Sequence, residues 1–82
     1  MISKTDLINL IKTDTLQSNS LQSYSPIKLK TLHYCFMFAA ENGHTKSVKI
    51  FLTDPRTDPA IFDNYAIKFA SKNGHYAIVA LL

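Results

Sequence analysis

The fold is decided by two nearly identical stretches, "FAAENGH" at 38–44 and "FASKNGH" at 69–75, which lie 31 residues apart. The same offset also relates two further identical pairs, Tyr34 with Tyr65 and Val48 with Val79. Periods of this length are typical of stacked helical repeats. We therefore interpret the chain as one helical unit that occurs twice.

Each unit is predicted to consist of a helix, a tight turn and a second helix. In the second unit, Ile67, Phe69 and Ala70 give an apolar helical face. Gly74 ends that helix because glycine takes the left-handed conformation that side chains resist. The apolar run that starts at Ile78 then forms the next helix. With only two glycines and three prolines in the chain, a many-stranded β fold is disfavoured.

The units are joined by a connector, "TDPRTDPAIFDN" at 53–64. Its two Asp-Pro pairs push Asp54 and Asp58 toward extended conformations and end the preceding helix. Asp63 or Asn64 is then placed to cap the helix that follows.

The pattern resembles that of ankyrin repeats over about residues 31–82. The similarity is carried by "AAENGH" (39–44) and "ASKNGH" (70–75), followed by "SVKIFL" (47–52) and "IVALL" (78–82). Together with the DPR-x-DP loop, it looks like a divergent variety known from giant viruses and amoebae. The repeat signature is carried by Ala39, Gly43, His44, Val48, Ala70, Gly74, His75 and Val79.

The resemblance implies an all-α fold, an ankyrin-like stack of helix-turn-helix repeats (an α-solenoid) with an N-terminal capping helix. We assign residues 1–12 to the capping helix and 13–30 to a polar linker or insertion. Residues 31–82 form two repeats, 31–61 and 62–82, of which the second is truncated. The linker assignment rests on a composition rich in Ser, Gln, Asn and Thr.

Two interpretations of the N-terminal helix remain open. Residues 2–12 align with the second helix of the first unit and could be the outer helix of an incomplete leading repeat. Alternatively, they form an unrelated helix that docks on the same face. In both cases Ser3 or Thr5 is expected to cap it.

The chain stops at Leu82, inside an apolar run and without a polar cap. Because about three repeats are usually needed for stability, we expect a truncated member of a longer array or an end that meets a partner. Otherwise this uncapped end should fray or self-associate.

No catalytic or cofactor-binding pattern is present, so we predict a protein that is not an enzyme and binds neither cofactor nor metal. His44 and His75 occupy equivalent repeat positions, and the resemblance implies that they bond to backbone and steady the turns. Cys35 lies among Tyr34, Phe36 and Met37 and is expected to be a small buried apolar residue.

The charge and the apolar runs restrict the environment and the partners. The net charge of +3 comes from scattered lysines, so a nucleic acid partner is not favoured. No apolar run approaches the ~20 residues that cross a bilayer, so no membrane association is expected. A single cysteine favours a reducing compartment. We predict an intracellular, cytoplasmic protein, in the host cytoplasm if it is viral.

These observations lead to a non-catalytic protein–protein interaction scaffold, which binds a protein partner through its loop tips and concave inner-helix face. The alternative is a fragment of a longer array without independent function. For two of the candidate contact residues another role is open: Arg56 could simply be solvated, and Phe62 could pack into the stack. The candidate contact residues are Met37, Arg56, Thr57, Phe62 and Lys68.

Overall fold

The computed structural model describes residues 3–17, Leu21 and 28–82, and within these it is helical without strands. The all-α prediction is therefore confirmed for this part of the chain. The assignments of Met1 and Ile2 to the capping helix, and of 18–20 and 22–27 to the linker, lie outside the described residues. The helices are α1 (Lys4–Lys12), α2 (Leu29–Glu41), α3 (Thr45–Leu52), α4 (Ile61–Lys72) and α5 (Tyr76–Leu81).

Helix α1 begins with the predicted cap. The Ser3 hydroxyl accepts a hydrogen bond from the Asp6 amide at 3.1 Å, which satisfies one of the free N–H groups of the first turn. Leu7 and Ile11 are fully buried, and the helix packs mainly against α2. Its assignment as the outer helix of a leading repeat stays a prediction.

The segment after α1 is anchored by two leucines despite its polar composition. Leu16 and Leu21 are each only 1 % exposed and belong to the hydrophobic core. The described part of the predicted linker therefore contributes to the core of the fold.

The two units of the sequence form two helical hairpins, α2 with α3 and α4 with α5. Their first helices, α2 and α4, contact each other, and so do their second helices, α3 and α5. Each hairpin alone would expose one apolar face, and these lateral contacts bury it. The core is continuous from α1 to α5.

The turns of the two hairpins have the same geometry, as the sequence repeat predicts. Gly43 and Gly74 have φ values of 80° and 78°, in the left-handed region that glycine adopts without a steric penalty. The prediction that they end the first helices is confirmed. The matching amide-to-carbonyl bonds are His44 to Ala39 at 2.9 Å and His75 to Ala70 at 2.8 Å.

The core combines large residues with alanines. Phe36 of α2 meets Phe51 of α3 edge-on, with ring centroids 6.1 Å apart. Cys35 is fully buried, which confirms its predicted place in the core. Other buried apolar residues are Leu7, Ile11, Leu16, Leu21, Leu32, Ala39, Ala40, Val48, Ile50, Ala66, Ala70 and Ile78.

The start of α4 differs from the sequence prediction. Phe62, Asp63 and Asn64 have φ values of 52°, 56° and 63°, so the element begins with a left-handed turn and continues right-handed from Tyr65. The N-cap residue is Ala60, which makes no side-chain cap bond. The right-handed part starts directly after Asn64, but in the part of the chain that the structure describes neither Asp63 nor Asn64 makes a side-chain capping bond to it. The Asp63 carboxylate pairs with Lys68 instead, so the predicted capping is not observed.

None of the described helices has the length and apolar character needed to span a bilayer.

Candidate functional site

The surface between α2 and α4 carries an open pocket of about 250 Å³. Four aromatic rings and one methionine line it, and we call it the aromatic pocket. Its residues are Tyr34, Met37 and Phe38 from α2, and Phe62 and Tyr65 from α4.

Helical spacing brings the α2 residues to the pocket. Tyr34, Met37 and Phe38 are three and four residues apart, so they share one face of the helix. Phe36 lies on another face and enters the core. Because the two faces are separate, α2 can fill the core and line the pocket at once.

Phe62 is held at the pocket by the left-handed turn. Its side chain is 67 % exposed although it is large and apolar. A left-handed conformation costs roughly 1–2 kcal/mol for a residue with a Cβ, and strained backbone of this kind clusters at functional sites. The fold thus maintains a costly geometry that leaves an aromatic ring in solvent.

Tyr65 connects the pocket to the end of α2. Its hydroxyl donates to Glu41 Oε2 at 3.2 Å, and its ring stacks on Phe69 with centroids 4.2 Å apart. Burial raises the pKa of Tyr65, and the Glu41 carboxylate raises it further. The ring is therefore fixed from two directions and its hydroxyl stays neutral at physiological pH.

Two lysines of α1 lie over pocket rings. Lys4 Nζ is 4.2 Å from the centroid of the Tyr34 ring, and Lys12 Nζ is 5.9 Å from that of Phe38. Both distances are within the range of cation–π attraction. Helix α1 thus supplies positive charge to one side of the aromatic pocket.

Lys68 of α4 is not among the residues that line the pocket. It forms an exposed ion pair with Asp63, Nζ to Oδ2 at 2.9 Å. Its hydrogen bond lowers the pKa of Asp63. Of the five predicted contact residues, Met37 and Phe62 line the pocket, and Lys68 pairs with the residue that follows Phe62.

Arg56 and Thr57 lie in the connector, away from the pocket. The guanidinium of Arg56 pairs with Asp54, Nη2 to Oδ2 at 2.7 Å, and Nη2 also donates to the Leu21 carbonyl at 3.5 Å, so Arg56 is engaged within the fold. Thr57 is half-buried, and its hydroxyl has no hydrogen-bond partner among the residues that the structure describes. The structure does not bring these two residues together with the other three.

His33 plays a part that the sequence did not reveal. Its Nδ1 is 3.0 Å from the Leu29 carbonyl and therefore carries the proton. Nε2 then accepts from the Asp58 amide at 2.9 Å. This buried, neutral ring ties the connector to α2.

The equivalent repeat histidines have different partners. His75 Nε2 donates to the Glu41 carbonyl at 3.0 Å, and the Asn73 side-chain amide donates to the same oxygen at 3.0 Å. They satisfy a free carbonyl at the end of α2 from the next hairpin. His44 instead stacks on Phe38, with ring centroids 5.9 Å apart.

The described residues offer little reactive chemistry. Burial raises the pKa of Cys35 to about 12, so this thiol is not an activated nucleophile. In the same part of the chain, no three His, Cys, Asp or Glu side chains are grouped so that they could hold a metal ion. Catalytic inactivity stays a prediction.

Sequence reasoning missed Tyr34, Phe38 and Tyr65 as residues that line the pocket. Their signal was present in the equivalent tyrosines of the two repeats and in the helical spacing of Tyr34 and Phe38. Because the same pattern also predicts burial, it could not distinguish a core face from an exposed one. Lys4 and Lys12 gave no signal, since they are distant in sequence from the rings they contact.

Comparison of the chain with protein-family models, with curated proteins and with solved structures found no match. The function of the aromatic pocket is therefore inferred from its own geometry and charges.

Proposed function

We propose that this chain is a short ankyrin-like scaffold that binds a protein partner and catalyses no reaction. The observation that carries the proposal is the aromatic pocket between α2 and α4, which exposes Phe62 and presents Met37. Exposed aromatic side chains in a concave site are typical anchors of protein interfaces.

The ankyrin-like architecture is supported by the repeat. Equivalent glycines, equivalent turn hydrogen bonds and lateral contacts between corresponding helices all recur with the 31-residue offset of the sequence. In such an architecture, α2 and α4 form the inner layer, which repeat proteins use for recognition. The pocket lies between these two helices.

The proposal can be tested by selecting binders with the whole chain. A displayed library of protein fragments is panned against the folded protein, and the affinities of the recovered fragments are measured for the wild type and for Phe62→Ser. We expect at least about a tenfold loss of affinity, because aromatic anchors dominate interface energies.

The matched control is Tyr76→Ser, which removes a ring that is 74 % exposed on α5 and outside the pocket. Its affinity for the same fragments should remain at the wild-type level. Recovery of no fragment, or an equal loss for Phe62→Ser and Tyr76→Ser, would refute the proposal. Circular dichroism melts confirm that both variants are folded.

A further inference from the structure

The charges around the aromatic pocket determine which kind of partner segment fits it. Lys4 and Lys12 lie over two of its rings. Two acids are also close to it, since Asp63 follows the pocket residue Phe62 and pairs with Lys68, and Glu41 accepts from Tyr65. The charge of Asp63 is thus paired with a cation, whereas Glu41 keeps its negative charge and accepts from the neutral Tyr65 hydroxyl.

The two lysines of α1, by contrast, are not paired with an acid in the part of the chain that the structure describes. Among residues 3–17, Leu21 and 28–82, the ion pairs are Arg56–Asp54 and Lys68–Asp63. Neither Lys4 nor Lys12 takes part in these ion pairs. Instead, their ammonium groups lie over the faces of aromatic rings. Their ammonium groups therefore remain available to an incoming carboxylate.

A cationic ligand does not fit this site. Aromatic pockets can hold a methylated ammonium group over their ring faces. Here Lys4 already lies 4.2 Å from the Tyr34 centroid and Lys12 lies 5.9 Å from that of Phe38. A further cation would be repelled by both lysines, whereas an anionic segment would be attracted.

The size of the pocket limits the apolar part of the ligand. Its volume of about 250 Å³ lies below the roughly 300–1,000 Å³ of pockets that enclose drug-sized molecules. The exposed Phe62 ring of α4 forms one wall of the pocket. Met37 of α2 also lines the pocket, and its flexible side chain can adapt to the shape of a ligand. The pocket therefore suits one bulky apolar side chain rather than a cofactor.

From these observations we infer that the aromatic pocket binds an acidic peptide segment of a partner protein. One large apolar side chain of the segment enters the pocket, and flanking Asp or Glu residues pair with Lys4 and Lys12. This inference rests on the proposed scaffold function and specifies the chemistry of its partner.

The probe is a library of random peptides displayed on phage and selected against the whole chain at low ionic strength. We expect the enriched peptides to combine Asp or Glu with a neighbouring Phe, Leu, Met or Trp. Titration of one enriched peptide should show an affinity that falls as salt is added, because exposed ion pairs are screened.

Matched variants distinguish the effect of the two lysines at the pocket from the effect of the net charge of the protein. The double variant Lys4→Gln and Lys12→Gln should bind the enriched peptide with about fivefold to tenfold lower affinity, as expected for the loss of two exposed ion pairs. Lys46→Gln with Lys49→Gln removes the same charge from exposed positions of α3 and should leave the affinity unchanged. Phe62→Ser should weaken binding at least about tenfold.

Each alternative result has a distinct meaning. Enrichment of neutral or basic peptides that lose binding with Phe62→Ser would overturn the acidic specificity but leave the scaffold function intact. Equal effects of the two lysine pairs would also overturn the specificity, since the attraction would then come from net charge. No enriched peptide, or peptides insensitive to Phe62→Ser, would overturn both the specificity and the pocket as a binding site.

Discussion

At the residue scale, Gly43 and Gly74 share a backbone conformation but differ in their surroundings. A Cβ added to Gly43 would lie 2.7 Å from His75 Cε1 and 2.8 Å from its Nδ1. A Cβ added to Gly74 would meet no atom within 4 Å. At Gly74, only the positive φ therefore requires glycine. At Gly43, the His75 side chain of the next hairpin also occupies the space that a Cβ would need.

We predict that Gly43→Ala destabilises the protein more than Gly74→Ala does. Gly74→Ala should cost about 1 kcal/mol, the usual penalty for a side chain in the left-handed region. Gly43→Ala should cost about 1 kcal/mol more, because the His75 ring must move and lose its bond to the Glu41 carbonyl. Urea unfolding of both variants measures the difference, and equal losses would show that the ring yields freely.

At the element scale, the contact between α2 and α4 depends on small residues. Ala39 on α2, and Ala66 and Ala70 on α4, are fully buried. Without larger side chains at these positions, the two helices can approach closely. Small residues at a helix contact leave no room for added volume.

We predict that Ala70→Leu lowers the free energy of unfolding by about 1–3 kcal/mol, the usual cost of overpacking a core. The control is Ala77→Leu on α5, where the alanine is exposed, and its effect should stay within about 0.5 kcal/mol. Thermal melts followed by circular dichroism provide the comparison. A neutral Ala70→Leu would contradict close packing of these helices.

The connector between α3 and α4 is organised by one carboxylate. Asp54 accepts from the Arg56 backbone amide at 2.9 Å, and from its Nε and Nη2 at 3.0 and 2.7 Å. The hydrogen bond from the Arg56 side chain lowers the pKa of Asp54 in the folded protein. The folded state consequently binds fewer protons than the unfolded state near the ordinary aspartate pKa of about 3.9.

This pKa shift predicts an acid-sensitive contribution to stability. The contribution is fully present above about pH 4 and is lost as the pH falls through the lowered pKa of folded Asp54. Asp54→Asn should cost about 1 kcal/mol at neutral pH, a modest value because Arg56 is one-third exposed. The same substitution should reduce the loss of stability between neutral pH and about pH 3.

Urea unfolding at both pH values measures this, with Asp6→Asn at an exposed position of α1 as the control for removing a negative charge. An Asp54→Asn variant with the full acid-induced loss of the wild type would contradict the assignment.

At the scale of the whole molecule, Cys35 reports on the entire fold. It is fully buried on α2, the helix that contacts α1, α3 and α4. Burial raises the pKa of its thiol to about 12, so the reactive thiolate is scarce as well as inaccessible. Exposing this sulfur requires α2 to separate from its neighbours.

We therefore predict that Cys35 is alkylated only through global unfolding. Iodoacetamide at about pH 8 should react slowly with the native protein and rapidly in urea. The free energy of opening derived from these two rates should agree with that from equilibrium unfolding within about 0.5 kcal/mol. A clearly smaller opening free energy would mean that α2 opens locally while the rest remains folded.

The sequence alone determined the all-helical character, the duplicated hairpin and the glycine turns, but not the left-handed start of α4. These follow from local causes, since apolar periodicity and the φ preference of glycine act within a few residues of the chain. Only the tertiary structure decided that Tyr34 and Phe62 face solvent and that Lys4 lies over Tyr34. The exposure of a ring and its contact with a lysine of another helix depend on how helices distant in sequence pack together. A periodic apolar pattern is the same in the sequence whether the helix face is buried or exposed.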